Sequence, residues 1–396
     1  MKPMHRFGGF VVGTAGLLVV AACFPFPIPR GFVPADNQPP KIETGGDRLV
    51  YEETTVELDA SGTTDPDGDA LTFHWEQVAG APVELSNAET ARATFRAPIV
   101  AVDTVLSFQV LVVDARGACS AENVNVTVRV KAIRAGNDKI VGPRLKVNLR
   151  GYNRGIGGHV TYAWRQIVGP AVTLSGADTL ETSFISPEVE EDTVLTFELT
   201  GTNQLGVTDS DTVDVTVKVG PLHVRFKTTM GEFVILLRPD RAPVTVANFL
   251  DYVNFGFYVG LTIHRVIPAE TLPGGIVQGG GWDVNLNSPP RFPPIELESN
   301  NGLSNVRGSV AMARLSAPDT ATSEFYVNTD DNLDLDYDNP PGSLGYAVFG
   351  EIVERMDVID AMSHVETTSR PAPWNPGVTF YDLPVVPILI EAVTIE

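Results

Sequence analysis

The sequence predicts a mainly β protein: two tandem β-sandwiches followed by a closed β-barrel capped by helices. Three observations lead there. Gly (36) and Pro (30) together make about one residue in six of the 396, which favours strands and turns over long helices. Residues recur at an offset of 89: Trp75-Glu76-Gln77 with Trp164-Arg165-Gln166, Asp103-Thr104-Val105-Leu106 with Asp192-Thr193-Val194-Leu195, and Val126-Thr127-Val128 with Val215-Thr216-Val217. From Leu222 the texture changes to two alternating runs and an amphipathic helix.

The N-terminus comes first. Lys2 and Arg6 precede an uncharged stretch, Phe7 to Ala22, which is short for a membrane span and fits a secretory signal. It ends in Val20-Ala21-Ala22-Cys23, which resembles the lipobox of bacterial lipoproteins. That resemblance implies a signal peptide over residues 1–22 and a lipidated Cys23. It also implies export and a lipid anchor in the bacterial cell envelope, at the outer membrane or the periplasmic face. Cys119 is then expected to stand alone, packed or incidental on the surface. Residues 23–40 hold repeated prolines and read as an extended, stiff tether.

The repeat spans residues 41–132 and 133–220. A period near 90 is too long for a solenoid and suits independent domains. Leu106, Phe108, Val110 and Val112 alternate, as do Val124, Val126, Val128 and Val130, so each set lines one face of a sheet. One Trp per copy suits a core anchor. With Leu58-Asp59-Ala60-Ser61-Gly62 and Asp65-Pro66-Asp67-Gly68-Asp69, each unit resembles the immunoglobulin-like PKD family, the second copy being divergent. Asp65, Asp67 and Asp69 invite a calcium reading, but the loop lacks a distal bidentate Glu and reads as a polar turn. Neither sandwich offers a catalytic constellation, and spacing, adhesion or partner binding is expected of them.

Residues 221–396 hold the chemistry. Leu222, Val224 and Phe226 alternate, Met230-Gly231 turns the chain, and Phe233, Ile235 and Leu237 alternate again. Pro243 stands where a helix begins, with Val246, Phe249, Leu250 and Val253 on one face. The segments Ala242 to Leu250, Ile263-His264-Arg265-Val266-Ile267-Pro268, Gln278-Gly279-Gly280-Gly281, Gly308 to Ala313, Ser323 to Asn328 and Gly345 to Gly350 then follow. In that order they resemble the cyclophilins, which are peptidyl-prolyl cis/trans isomerases. The resemblance implies an eight-stranded antiparallel barrel with two helices, no cofactor and no metal. X-Pro-containing polypeptides are the implied partners.

The chemistry suits those residue types. The barrier to rotating an amide is about 18–20 kcal/mol, and no bond need break to cross it. An apolar slot for the proline ring and a donor aimed at the twisted amide are enough. By resemblance Arg265 and Gln278 are the catalytic pair. Ile276, Tyr326 and Leu335 line the proline pocket, Tyr346 forms its edge, and Met312 and Ala313 form the adjoining strip. Glu324 and Phe325 complete the expected substrate-binding set, Glu324 replacing a usual Gln. Residues 269–277 are longer than the common spacing. Gly275 therefore falls where an aromatic wall is usual, with Leu272 as a substitute. Asp334 stands where Trp is often found and is expected to hold Arg265 or compete for it. His264 is expected to pack in the barrel. Residues 366–382 are Pro-rich and read as a loop.

Composition sets the outer limits. The net charge is −21, which speaks against nucleic acid, since phosphates need cations in register. Two cysteines rule out a disulfide-rich scaffold. The expected function is peptidyl-prolyl isomerisation assisting exported or envelope proteins. The alternative is a non-catalytic, cyclophilin-like peptide-binding or adhesion lipoprotein with immunoglobulin-like spacers. The sequence leaves the oligomeric state open.

Overall fold

The computed structural model of the protein describes residues 36–268 and 274–396. The signal segment, Cys23, most of the expected tether and Leu272 lie outside the described residues. The chain divides into two compact units, one ending at Val130 and one running from Lys131 to Glu396.

The first sandwich has strands β1 (Arg48–Tyr51), β2 (Thr55–Asp59), β3 (Leu71–Ala79), β4 (Arg92–Arg96), β5 (Thr104–Asp114) and β6 (Cys119–Arg129). They form a β1-β6-β5-β3 sheet facing a β2-β4 pair. The alternating valines and Leu106, Phe108 and Trp75 fill the space between, with Trp75 only 1% exposed. Two expectations are corrected here. The end of the tether is fastened to this sandwich: Asn37 Nδ2 donates to Asp114 at 2.9 Å and Ser120 Oγ to the Pro40 carbonyl at 2.6 Å. Cys119 does not stand alone but is disulfide-bonded.

The second sandwich repeats the plan with β7 (Ile133–Arg134), β8 (Lys139–Val141), β9 (Lys146–Arg150), β10 (Tyr152–Asn153), β11 (Val160–Val168), β12 (Glu181–Ile185), β13 (Thr193–Asn203) and β14 (Thr208–Val217). Its sheets are β11-β13-β14-β8 and β12-β9, with a β10-β7 pair beside them. Trp164 is buried at the position equivalent to Trp75.

The barrel follows as β15 (His223–Thr228), β16 (Gly231–Leu237), α1 (Pro243–Phe255), β17 (Leu261–Ile267), β18 (Ile276–Asp283), β19 (Ser309–Met312), β20 (Phe325–Asn328), β21 (Val348–Glu354), α2 (Met356–Ser363), β22 (Thr367–Ala372), β23 (Asn375–Pro384) and β24 (Ile388–Ile395). Eight strands close in the order β15-β16-β21-β19-β20-β18-β17-β24, all antiparallel. The residues expected to be a loop at 366–382 instead pair as the β22-β23 hairpin. Pro243 opens α1, where a missing N–H costs nothing, and Gly256 at φ 74° ends it. The inward face of α1 packs Val246, Phe249, Leu250 and Val253 on the barrel interior. There Phe325 meets Tyr258 and Phe249 edge-on, at 5.6 and 5.8 Å between ring centroids. Burying one such ring stabilises by about 1.5–3 kcal/mol.

The other face of α1 meets the second sandwich. Asp251 is 6% exposed and receives Lys139 Nζ at 3.1 Å, Asn148 Nδ2 at 2.8 Å and Arg150 Nη1 at 3.2 Å. Asn254 pairs with both backbone groups of Ile140, and the Arg150 guanidinium lies 4.0 Å over the Phe292 ring. A buried carboxylate is tolerated only when paired this fully.

Candidate active site

Strand register assembles the site. Arg265 on β17 lies opposite Gln278 on β18, and Gln278 lies opposite Tyr326 on β20. Directly paired residues share a face, so the three stand in a row on the outer wall of the barrel. Tyr326, Ala311 and Val348 form a small apolar cluster there, with Ile276, Leu303, Ala313, Leu335 and Tyr346 packed on it. Above it opens a cavity of about 230 Å³, lined by Arg265, Ile267, Gly274, Ile276, Gln278, Ala313, Arg314, Tyr326, Leu335 and Tyr346.

Seven of the expected residues therefore surround one cavity: Arg265, Gln278, Ile276, Ala313, Tyr326, Leu335 and Tyr346. Three do not line it. Met312 and Phe325 point into the barrel core, 1% and 0% exposed. The cause is alternation: each is the chain neighbour of an outward residue, so its side chain must face inward. Glu324 is outward but stands behind Gln278, whose Nε2 donates to it at 2.9 Å. Arg291 Nη2 donates to its other oxygen at 2.9 Å, and His264 Nε2 lies at 3.2 Å. Burial pushes the Glu324 carboxyl up, but His264, Arg291 and Gln278 outweigh it and hold the pKa at about 2.

The pocket walls are held from outside. The Tyr326 hydroxyl donates to Asn305 Oδ1 at 2.8 Å, which fixes the ring. Burial, followed by Tyr346 and Asp336, raises its pKa. Tyr326 and Tyr346 meet edge to face at 5.8 Å.

Arg265 is half-exposed, and its Nε lies 3.6 Å from Asp382 Oδ2. The expected carboxylate, Asp334, is an exposed residue of the 3₁₀ turn Leu333–Leu335; the partner comes from β23 instead. A second guanidinium was missed. Arg314 lines the cavity, donates twice to the Gly345 carbonyl at 3.0 and 2.7 Å, and lies 4.8 Å from the Tyr346 ring centroid. Its place directly after Ala313 was the available signal.

Asp65, Asp67 and Asp69 bring carboxylate oxygens within 4.8 Å of one another. Arg116 Nε already pairs with Asp69 at 2.6 Å, and Asp67 accepts the Gln38 N–H, in keeping with a turn.

Comparison with known proteins agrees with this geometry. Residues 223–381 match the family described as cyclophilin type peptidyl-prolyl cis-trans isomerase/CLD. Residues 44–128 and 135–217 each match a family described as a PKD domain. The chain is 42% identical over 173 residues to peptidyl-prolyl cis-trans isomerase A of Dickeya dadantii, covering 44% of this chain and 84% of that one. It is 40% identical over 174 residues to peptidyl-prolyl cis-trans isomerase B of Escherichia coli, covering 44% and 99%. With an isomerase of Acinetobacter baylyi it shares 42% over 146 residues, covering 37% and 74%. An outer-wall cavity flanked by Arg265 and Gln278, on an eight-stranded barrel with these relatives, places the chain in the cyclophilin-type peptidyl-prolyl cis/trans isomerases, with two PKD-like domains ahead of the barrel.

Proposed function

We propose that Arg265 is the catalytic group and that the enzyme assists folding of exported or envelope proteins bearing exposed X-Pro bonds. The supporting observation is the row Arg265–Gln278–Tyr326 at the mouth of one apolar cavity. The proline ring enters against Ile276, Tyr326 and Leu335. Twisting the amide localises a lone pair on nitrogen and charge on the carbonyl, and a fixed guanidinium fork stabilises either. Gln278 holds the adjoining backbone. Because Arg265 is already oriented by Asp382, little reorganisation is needed as the bond turns. A protease-coupled isomerisation assay on a short X-Pro peptide tests this. Arg265→Ala is expected to lower kcat/KM by about 10²–10³; a rate equal to that of the parent overturns the assignment.

Anchoring through Cys23 belongs to the same proposal. The chain has two cysteines and Cys119 is disulfide-bonded, while one sulfur bears either a lipid or a disulfide. The intact mass of the membrane-fraction protein, before and after reduction, decides. A diacylglyceryl mass on Cys23 supports the anchor, and an unmodified Cys23 removes it.

A further inference from the structure

A glutamine amide has two faces, an acceptor and a donor, and either can be turned toward a ligand. Which one Gln278 presents is settled by what stands behind it. An ionised carboxylate has no proton to give, so Gln278 must turn its Nε2 toward Glu324, and the bond is 2.9 Å. Its Oε1 accepts no hydrogen bond from the described residues and is left on the other side of the amide. A glutamine at 324 would satisfy both orientations; a carboxylate satisfies one.

Glu324 is itself held firmly. Its side chain is 19% exposed, with Arg291 and His264 on its oxygens. Arg291 in turn donates to the Gly281 carbonyl and to Ser288 Oγ, at 3.2 and 3.1 Å. A Cβ on Gly281 would fall 2.6 Å from the Glu324 carboxyl carbon. The glycine is therefore what leaves room for a carboxylate behind Gln278.

We propose that Glu324 is a positioning residue that locks Gln278 with its carbonyl oxygen toward the substrate. The isomerase is then selective for polypeptides that offer a backbone N–H flanking the X-Pro bond. This rests on the isomerase site assigned above and adds its polarity.

The experiment compares a parent X-Pro peptide with two depsipeptides. In one the amide before X is an ester, and in the other the amide after proline. Each deletes one N–H. Isomerisation is followed by NMR exchange with the full chain. The expected result is that one ester raises KM for the parent enzyme by about fivefold to tenfold, with a smaller effect on kcat. In Glu324→Gln, where Gln278 is free to turn, that penalty shrinks to about twofold or less. In Gln278→Ala, with Glu324 intact, it disappears. Esters that match the parent peptide overturn the proposal, as does an unchanged penalty in either variant. Should Glu324→Gln fail to fold, Gln278→Ala alone decides. Failure here leaves the Arg265→Ala result untouched, so the two readings fail separately.

Discussion

The two sandwiches share a core and differ in charge. Gln77 Nε2 donates to the carbonyls of Ala79 and Ala81, and its Oε1 accepts from Val83 N–H. Gln166 does the same with Val168, Pro170 and Val172. The Phe95–Phe108 and Phe184–Phe197 ring pairs lie at 4.6 and 4.7 Å. On the small sheet the pattern inverts. Asp59 opposite Arg92 in the first copy becomes Arg150 opposite Glu181 in the second. Asp59 is satisfied within its own sheet by Arg92 at 3.2 Å, whereas Arg150 reaches outward to Asp251 on the barrel. Duplication thus kept the staples that fold each unit and reversed the face that decides whether the unit docks.

The largest test removes what is common. Trp75→Ala and Trp164→Ala each empty a core and are expected to cost about 3–5 kcal/mol. Their consequences should differ. The first acts on a compact unit of its own, and denaturation followed by proteolysis of the barrel is expected to be unchanged. The second acts on a unit clamped to α1, and barrel cleavage is expected to begin at lower denaturant. Equal effects on the barrel would contradict the division.

Next comes the clamp. Asp251→Ala leaves Lys139 and Arg150 facing each other without a carboxylate. Breaking a buried pair on one side costs about 3 kcal/mol or more, expected as a lower midpoint for residues 131–396. Arg150→Asp copies the first sandwich and should be at least as harmful, since it sets two carboxylates together. Adding Asp251→Arg to it is expected to recover part of the loss. Smaller still are Gln77→Ala and Gln166→Ala, each expected to cost about 1–2 kcal/mol, alike in the two copies because the staples are alike.

What the sequence disclosed follows from period and order. Alternation made the barrel strands and the outward set of Arg265, Gln278 and Tyr326 readable. The same rule, applied at Met312 and Phe325, would have sent them to the core; alignment by motif overlooked it. Arg314 was hidden because a cation beside a motif has no pattern of its own. Asp382 and the β22-β23 hairpin were hidden because Pro371, Pro373 and Pro376 mask strand character, although an exposed two-stranded ribbon tolerates proline. The Asp251 clamp depends on contacts between residues about a hundred positions apart, which no local pattern encodes.

The smallest expected effect concerns acid, and it again separates the copies. Asp114 Oδ1 accepts the N–H groups of Arg116 and Ala118 to shape the β5-β6 turn. In the second copy Asn203 Oδ1 accepts those of Leu205 and Val207 in the same way. Burial raises the Asp114 pKa, but the Asn37 amide and the N–H groups of Ala118, Arg116 and Gly117 outweigh it, so the net shift is downward. Asp59 is lowered too, by Ser61 first and then by Arg92. A carboxyl whose folded pKa is depressed adds stability above its unfolded value, 3.8 here, and loses it as pH falls toward the folded value. Asn203 has no proton to take up. As pH falls from about 5 to below 3.8, the first sandwich is therefore expected to lose more stability through this turn than the second. Hydrogen exchange at Arg116 and Ala118, set against Leu205 and Val207, measures it. Asp114→Asn should remove the pH dependence of the first turn; a slope that survives in that variant assigns the acid sensitivity to Asp59 instead.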